Sequence, residues 1–250
     1  MLTVLRGPRP APRALPDPRA AVTPGLAGLP VLKDSPCPTA CSACLPACPA
    51  QALARTSTAV ALDLGRCVFC RECTAACPEG HITFSPEHRL ASATRRGLVV
   101  GPERRTPPPV AADAALRRLF GRSLKLVRAV LGGCDGCDRE LRACADGHFD
   151  IGRWGIEWVD EARDADGLVV SGPVETDADD EQLRRTWAAI TGPRLLIATG
   201  ACAIGGGPHR LGPARARGFF AEYAPQLYVP GCPPHPLTFV NGLLDLLGVP

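Results

Sequence analysis

The sequence predicts two domains, a small cysteine-rich domain followed by an α/β domain with a mainly parallel sheet. Two closely spaced cysteine runs lie between Cys37 and Cys77, and a segment rich in Pro and Arg follows them. From residue 123 onward, strand-like apolar runs alternate with glycine-containing turns and helix-like segments. Alternation of this kind is typical of α/β domains whose strands run parallel.

The composition excludes several classes of protein. The 250 residues are enough for two domains, and the net charge of +3, with its arginines scattered, does not indicate a nucleic-acid partner. No apolar run reaches the roughly 18 residues of a membrane span, and the opening residues resemble neither a secretory signal nor a twin-arginine signal. We therefore expect a cytoplasmic protein with no direct membrane span.

The first 30 residues are rich in Arg, Pro and Ala and show no periodicity. We predict an extended lead-in at residues 1–30, which is either a solvated tail or a docking arm. The thirteen cysteines that follow indicate metal binding, because disulfides are rare in cytoplasmic proteins and the odd count leaves one thiol over.

The two cysteine runs are the most specific signal in the sequence. The second run has the spacing Cys-x2-Cys-x2-Cys-x3-Cys-Pro, and the first repeats it with one extra residue in its first gap. The cysteines are Cys37, Cys41, Cys44 and Cys48 in the first run and Cys67, Cys70, Cys73 and Cys77 in the second. This duplication resembles a bacterial two-cluster ferredoxin, which implies an α+β ferredoxin-like domain at residues 31–90.

The resemblance also implies a ligand set for two [4Fe-4S] clusters, in which the fourth cysteine of each run binds the other cluster. One cluster would be bound by Cys37, Cys41, Cys44 and Cys77, and the other by Cys48, Cys67, Cys70 and Cys73. The longer gap after Cys37 leaves a three-iron cluster at the first site as an alternative. A pair of structural zinc sites is disfavoured, because zinc motifs usually combine two Cys-x2-Cys knuckles.

A Pro/Arg-rich linker is predicted at residues 91–115. Three consecutive prolines, Pro107 to Pro109, would stiffen it. A short helix from Val110 to Phe120 then leads into the second domain, which we place at residues 116–250.

Four cysteines of the second domain come directly after predicted strands. The strands are predicted at residues 124–131, 156–159, 167–171, 195–199 and 227–230, and the helices between or after them at 139–145, 179–190 and 237–247. Cys134 and Cys137 follow the first of these strands, whereas Cys202 and Cys232 follow the last two. Because sites in open parallel sheets form beyond the carboxyl ends of the strands, we expect these thiols to form one metal-cluster site.

Motifs around these cysteines carry a second resemblance. They are Cys134-x2-Cys137-Asp138-x-Glu140, Val-Ser-Gly-Pro-Val at 170–174, Gly-Ala-Cys-Ala-x-Gly-Gly at 200–206 and Tyr-Val-Pro-Gly-Cys-Pro-Pro at 228–234. They resemble the small subunit shared by NADH:quinone oxidoreductase (complex I) and the energy-converting [NiFe] hydrogenases, which implies a flavodoxin-like domain. Complex I members have two adjacent cysteines at the first ligand position, so the Cys-x2-Cys spacing favours the membrane-bound hydrogenase and formate hydrogenlyase branch.

The family resemblance implies a third [4Fe-4S] cluster beside a large partner subunit, with Cys134, Cys137, Cys202 and Cys232 as ligands. Buried structural thiols are the alternative for Cys202 and Cys232. Asp138 and Glu140 are candidates for proton transfer at the subunit interface, with a solvated or ion-paired acid as the alternative. Cys144, the remaining cysteine, is interpreted as a core residue.

Together the two resemblances predict a natural fusion that serves as the iron–sulfur electron-transfer subunit of an oxidoreductase. Catalytic residues would lie on a hydrogenase-like or complex I-like large subunit, with other subunits holding the complex at the cytoplasmic face of a membrane. A complex I-type quinone-reducing subunit, a stand-alone electron carrier or redox sensor, and a zinc-stapled interaction module are the alternatives.

Overall fold

The N-terminal part of the chain forms two small antiparallel sheets. The computed structural model describes residues 17, 25–33, 35–38, 41–120, 123–209 and 218–249, so most of the predicted lead-in lies outside the described residues. The strands are β1 (Pro30–Leu32), β2 (Leu53–Arg55), β3 (Val60–Asp63), β4 (Ile82–Phe84) and β5 (Val99–Val100). Strand β1 pairs with β4, while β3 lies between β2 and β5. Two one-turn helices, α1 (Cys44–Ala47) and α2 (Glu72–Ala75), carry parts of the cysteine runs.

Much of the segment predicted as a linker packs against both halves of the chain. Thr94 accepts a hydrogen bond from the Gly97 amide and caps a 3-10 turn, Arg95–Leu98, that leads into β5. The Leu98 side chain is fully buried in the N-terminal core. Ser92 exchanges two backbone hydrogen bonds with Tyr228, at 3.0 and 2.9 Å. The structure thus joins this segment to the small sheet and to the C-terminal part.

Five parallel strands form the central sheet of the C-terminal part. They are β6 (Leu124–Val130), β7 (Ile156–Trp158), β8 (Gly167–Ser171), β9 (Leu195–Thr199) and β10 (Leu227–Val229), in the order β10-β9-β8-β6-β7. Numbered from the first strand of this sheet, the order is the flavodoxin-like 2-1-3-4-5. The predicted α/β fold with a mainly parallel sheet is therefore confirmed.

Helices cover both faces of this sheet. They are α3 (Ala114–Phe120), α4 (Gly136–Ala143), α5 (Asp177–Ala189), α6 (Gly200–Gly205), α7 (Gly218–Glu222) and α8 (Pro236–Leu247). Residues of α3, α4 and α8 share one core cluster with the sheet, and residues of α5 and α7 share another. Strands β8 and β9 are buried along their whole length, as expected for parallel strands covered on both faces. Among the described residues, no helix is long and apolar enough to span a bilayer.

The two halves of the chain meet at helix α6. A Cβ on Gly205 would lie only 2.4 Å from the carbonyl oxygen of Gly65, next to the second cysteine run. Ile204 and Ala198 belong to the same apolar cluster as the N-terminal core. This close packing brings the second cysteine run next to the carboxyl end of the parallel sheet.

Candidate functional site

Twelve of the thirteen cysteines fall into three groups. Within each group the negative charge of one thiolate raises the pKa of a neighbouring thiol. Because this effect weakens with distance, the thiols of one group lie near one another. The first thiol group contains Cys37, Cys41, Cys44 and Cys77, the second contains Cys48, Cys67, Cys70 and Cys73, and the third contains Cys134, Cys137, Cys202 and Cys232.

The first thiol group combines three cysteines of the first run with the last cysteine of the second. Burial raises the pKa of Cys44, and the charges of Cys77, Cys37 and Cys41 raise it further. These four cysteines line one small cavity. The Cys77 thiol accepts a hydrogen bond from the His81 amide at 3.2 Å. Cys37 therefore lies with the other three despite the longer gap that follows it.

The second thiol group has the reciprocal composition. Burial raises the pKa of Cys67 to about 12, and the charges of Cys73, Cys48 and Cys70 act in the same direction. Backbone amides point at two of these sulfurs, from Phe69 to Cys67 at 3.3 Å and from Ala52 to Cys48 at 3.2 Å. Amides placed in this way stabilise thiolates.

The third thiol group lies at the carboxyl end of the parallel sheet. Cys134 and Cys137 follow β6, Cys202 lies on α6 directly after β9, and Cys232 follows β10. Burial raises the pKa of Cys137 to about 12, with further contributions from the charges of Cys202, Cys232 and Cys134. A cavity bounded by the turns after β6 and β8 includes three of these thiols. Strand order reverses between β6 and β8, where open α/β sheets place their ligands.

The backbone of Gly200 packs directly against the thiol of Cys137. Its φ is +87°, and a Cβ at this position would lie 2.5 Å from Cys137 Sγ. Both the backbone conformation and the close approach therefore require glycine. Gly205, by contrast, gives room to the backbone of Gly65.

The three groups adjoin one another in series. Burial raises the pKa of Cys73 to about 11, and the charges of Cys48, Cys70 and Cys44 add to this effect. Because Cys44 belongs to the first group, the first and second groups lie near each other. Burial raises the pKa of Cys232, and the charges of Cys134 and then Cys70 add to this effect. Cys70 therefore connects the second group to the third.

Asp138 is held in a buried ion-pair network. Its Oδ1 accepts a hydrogen bond from Arg128 Nε at 2.9 Å, and its Oδ2 accepts one from Arg142 Nε at 2.6 Å. Both carboxylate oxygens thus face arginines, which is the ion-paired alternative considered above. Glu140 is half-buried, and burial raises its pKa.

Cys144 lies in the core of the C-terminal part. Its side chain is fully buried, and its Sγ donates a weak hydrogen bond to the Glu140 carbonyl at 3.4 Å. Burial is also the main cause of its raised pKa, about 12. This position agrees with the interpretation of Cys144 as a structural residue.

Other polar side chains near the third group were not singled out from the sequence. His235 accepts a hydrogen bond from the Leu237 amide and caps α8, with the ring of His88 6.5 Å away between centroids. Ser171 and Thr199 are buried hydroxyl residues at the carboxyl ends of β8 and β9. Ser171 belongs to the Val-Ser-Gly-Pro-Val motif, but single hydroxyls in apolar strands give no pattern that marks them.

The donor sets suit iron–sulfur clusters. Each group offers four cysteine thiols, which is the usual ligand set of a [4Fe-4S] cluster. Among the residues that the structure describes, no three Cys, His, Asp or Glu side chains are placed to hold a single metal ion. A four-iron cluster binds each thiol through a different iron, so its ligands stand farther apart than those of one ion.

Comparisons with known proteins concern the C-terminal part. Residues 134–246 match the family described as NADH ubiquinone oxidoreductase, 20 Kd subunit. The probable membrane-bound hydrogenase subunit mbhJ of Pyrococcus furiosus is 33% identical over 131 residues, which is 52% of this chain and 78% of that protein.

Two further relatives come from other redox complexes. Formate hydrogenlyase subunit 7 of Escherichia coli is 34% identical over 152 residues, covering 57% of this chain and 58% of that protein. An NADH-quinone oxidoreductase subunit of Rubrobacter xylanophilus is 35% identical over 111 residues, covering 44% of each chain.

Proposed function

Since the chain belongs to the NADH ubiquinone oxidoreductase 20 Kd subunit family, we propose that it is the iron–sulfur electron-transfer subunit of a multi-subunit oxidoreductase. Relatives named as subunits of a membrane-bound hydrogenase, of formate hydrogenlyase and of NADH-quinone oxidoreductase support this proposal. The Cys-x2-Cys spacing of Cys134 and Cys137 favours the hydrogenase side of the family.

Each thiol group would hold one [4Fe-4S] cluster, with its four cysteines as ligands. The first and second groups would belong to a ferredoxin-like domain at residues 31–90, fused through residues 91–115 to the family domain at 116–250. The reciprocal placement of Cys48 and Cys77 supports the fusion, because exchange of the fourth cysteine is characteristic of two-cluster ferredoxins. When bound, the clusters supply sites for one-electron oxidation and reduction.

The observation that carries the proposal is that the three groups lie near one another in series. Cys44 and Cys73 connect the first two groups, and Cys70 and Cys232 connect the last two. A chain that only needed structural metal sites would gain nothing from this order. The protein holds the second group between the others, so that the row runs from the first group to the third.

The exposed side of the third group is the proposed docking site for the large subunit. Gly132, Gly133, Cys134 and Asp135 are exposed there, whereas the other three cysteines of the group are half-buried. A hydrogenase-like or complex I-like large subunit would carry the catalytic residues. Other subunits would hold the complex at the cytoplasmic face of a membrane. Of the two acids, Glu140 remains the better candidate for proton transfer, because Asp138 is occupied by two arginines.

Electron paramagnetic resonance of the fully reduced chain, prepared without oxygen, tests the proposal. We expect spin coupling of the second cluster to both of its neighbours. Cys73→Ala, which removes a ligand of the second group, should leave the first and third clusters as isolated spins. Three uncoupled signals in the unaltered protein would contradict the serial arrangement. Co-expression with a hydrogenase-like large subunit should give a stable complex, and failure to co-purify would argue against the docking site.

A further inference from the structure

Two buried hydroxyl groups lie side by side at the carboxyl edge of the parallel sheet. Ser171 is 1% exposed and Thr199 is 0% exposed. They are register partners on β8 and β9, the strands that they end. Among the residues that the structure describes, neither Ser171 Oγ nor Thr199 Oγ1 has a hydrogen-bond partner.

Such groups need a partner that the polypeptide does not supply. Leaving a buried donor or acceptor unsatisfied costs about 1–3 kcal/mol. Buried polar side chains in native proteins therefore almost always bind protein atoms, ordered water or a ligand. The partner of these two hydroxyls is therefore an ordered water or a bound group on the same side of the sheet.

The third thiol group lies on that side. Ser171 lines the same cavity as Cys134, Cys137 and Cys202. Paired residues of neighbouring strands point to the same face, so Thr199 shares the face of Ser171. The residue after Thr199 is Gly200, where a Cβ would lie 2.5 Å from Cys137 Sγ.

The packing of α4 identifies this face independently. Val169 on β8 and Ile197 on β9 lie two residues before Ser171 and Thr199, and therefore on the same face. Both belong to the core cluster that contains Leu141 of α4. Helix α4 also carries Cys137 in its first turn. The hydroxyl pair thus lies on the face of the sheet that this helix helps to cover.

We propose that Ser171 and Thr199 donate O–H hydrogen bonds to sulfur atoms of the cluster bound at the third thiol group and raise its reduction potential. The proposal rests on the proposed function, because it needs a cluster at that group. Hydrogen bonds to cluster sulfurs stabilise the more negative, reduced state and are a recognised determinant of potential. The two side chains contact the sulfur atoms of the cluster without binding its iron.

A potentiometric titration of the full chain, followed by electron paramagnetic resonance, tests the proposal. Ser171→Ala and Thr199→Val should each move the midpoint of the third cluster to a more negative potential, and the double variant should move it further. The first and second clusters should keep their potentials. Ser171→Thr and Thr199→Ser retain the hydroxyl and should stay close to the unaltered protein.

The outcomes separate this proposal from a purely structural role. Loss of stability with an unchanged third-cluster potential in both Ser171→Ala and Thr199→Val would overturn it. An unaltered protein that contains no third cluster would instead overturn the proposed function, and iron analysis detects that case.

A second measurement keeps the Ser171 hydroxyl in place. It therefore tests the contact even if Ser171→Ala fails to hold the third cluster. Serine deuterated at Cβ can be incorporated into the unaltered chain and into Ser171→Thr, with unlabelled cysteine supplied so that the ligand cysteines carry no deuterium. The deuteron couplings to the third cluster are then compared between the two proteins. A coupling that is present in the former and absent in the latter supports the contact. Identical spectra would contradict it.

Discussion

Cys70 and Cys232 come from opposite halves of the chain, yet they lie near each other. Phe69 and Cys232 line one cavity. Burial raises the pKa of Cys232, and the charges of Cys134 and then of Cys70 raise it further. The two halves are brought together where α6 packs on the backbone at Gly65, because only glycine at position 205 fits there. The cysteine-rich segment and the parallel sheet are thereby placed so that the three thiol groups lie in a row. The proposed electron-transfer role depends on this relationship.

The first prediction concerns the fourth cysteine of each run, which lies with the thiols of the other run. Cys48→Ala should abolish the spin coupling between the second and third clusters, although Cys48 belongs to the first cysteine run. The reason is that its thiol lies with Cys67 and Cys73. Paramagnetic resonance of the reduced variant provides the measurement.

Cys77→Ala is the matched control for that experiment. It should impair the first cluster and leave the coupling between the second and third intact, because Cys77 lies with Cys44. If coupling to the third cluster survives in Cys48→Ala and is lost in Cys77→Ala, the exchanged ligand sets are wrong.

Gly200→Ala should prevent assembly of the third cluster. The new Cβ would lie 2.5 Å from Cys137 Sγ, and the φ of +87° costs a non-glycine residue about 1–3 kcal/mol. Iron content should fall by about one third if a single four-iron cluster of three is lost. Gly132→Ala is the control in the same region, since a Cβ there meets nothing within 4 Å. Equal iron contents in the two variants would refute this explanation.

Asp138→Asn should lower the free energy of unfolding by about 3 kcal/mol, because it leaves the largely buried Arg128 without its carboxylate. Denaturation by urea under anaerobic conditions, followed by circular dichroism, measures the effect. Arg142→Gln removes the exposed member of the network and should cost at most about 1 kcal/mol. A loss in Arg142→Gln as large as in Asp138→Asn would show that burial does not control this network.

The stability of the protein should depend on the protonation of His235. Burial lowers its pKa below the ordinary 6.5, and the charges of His88 and His148 add to this effect. A group whose pKa is lower in the folded state stabilises the fold fully above the unfolded pKa, and this contribution is lost as the pH falls through the folded pKa. The free energy of unfolding should therefore decrease below about pH 6.5.

His235→Asn should weaken that pH dependence while keeping an N-cap acceptor for α8. Urea denaturation of both proteins between about pH 7.5 and pH 5.5 covers the relevant window. The two curves should approach one another at the acidic end. Parallel curves would assign the pH dependence to other groups.

Regular elements were predictable where local sequence determines them. Strands β8 and β9 begin and end as predicted, because strands buried on both faces give continuous apolar runs. The position of four thiols beyond strand ends followed from the same pattern. Their assignment as cluster ligands is still a prediction, supported by the grouping of the thiols.

Features that depend on tertiary packing were not predictable. Strand β5 has only two residues, too few for a periodic signal, and it lies within a segment whose composition suggested a linker. Helix α5 begins at Asp177, two residues before the predicted start, because Thr176 caps it in a capping box with Asp179. The pairing of Asp138 with Arg128 joins a helix to a strand, which no local pattern records.

Iron and acid-labile sulfide per chain, determined on protein expressed and purified without oxygen, test the central claim most directly. Three four-iron clusters predict about 12 iron and about 12 sulfide. About 11 iron would indicate a three-iron cluster at the first thiol group. About 4 iron would show that only one group binds a cluster and would contradict the row of three. Zinc without sulfide would contradict the electron-transfer function itself.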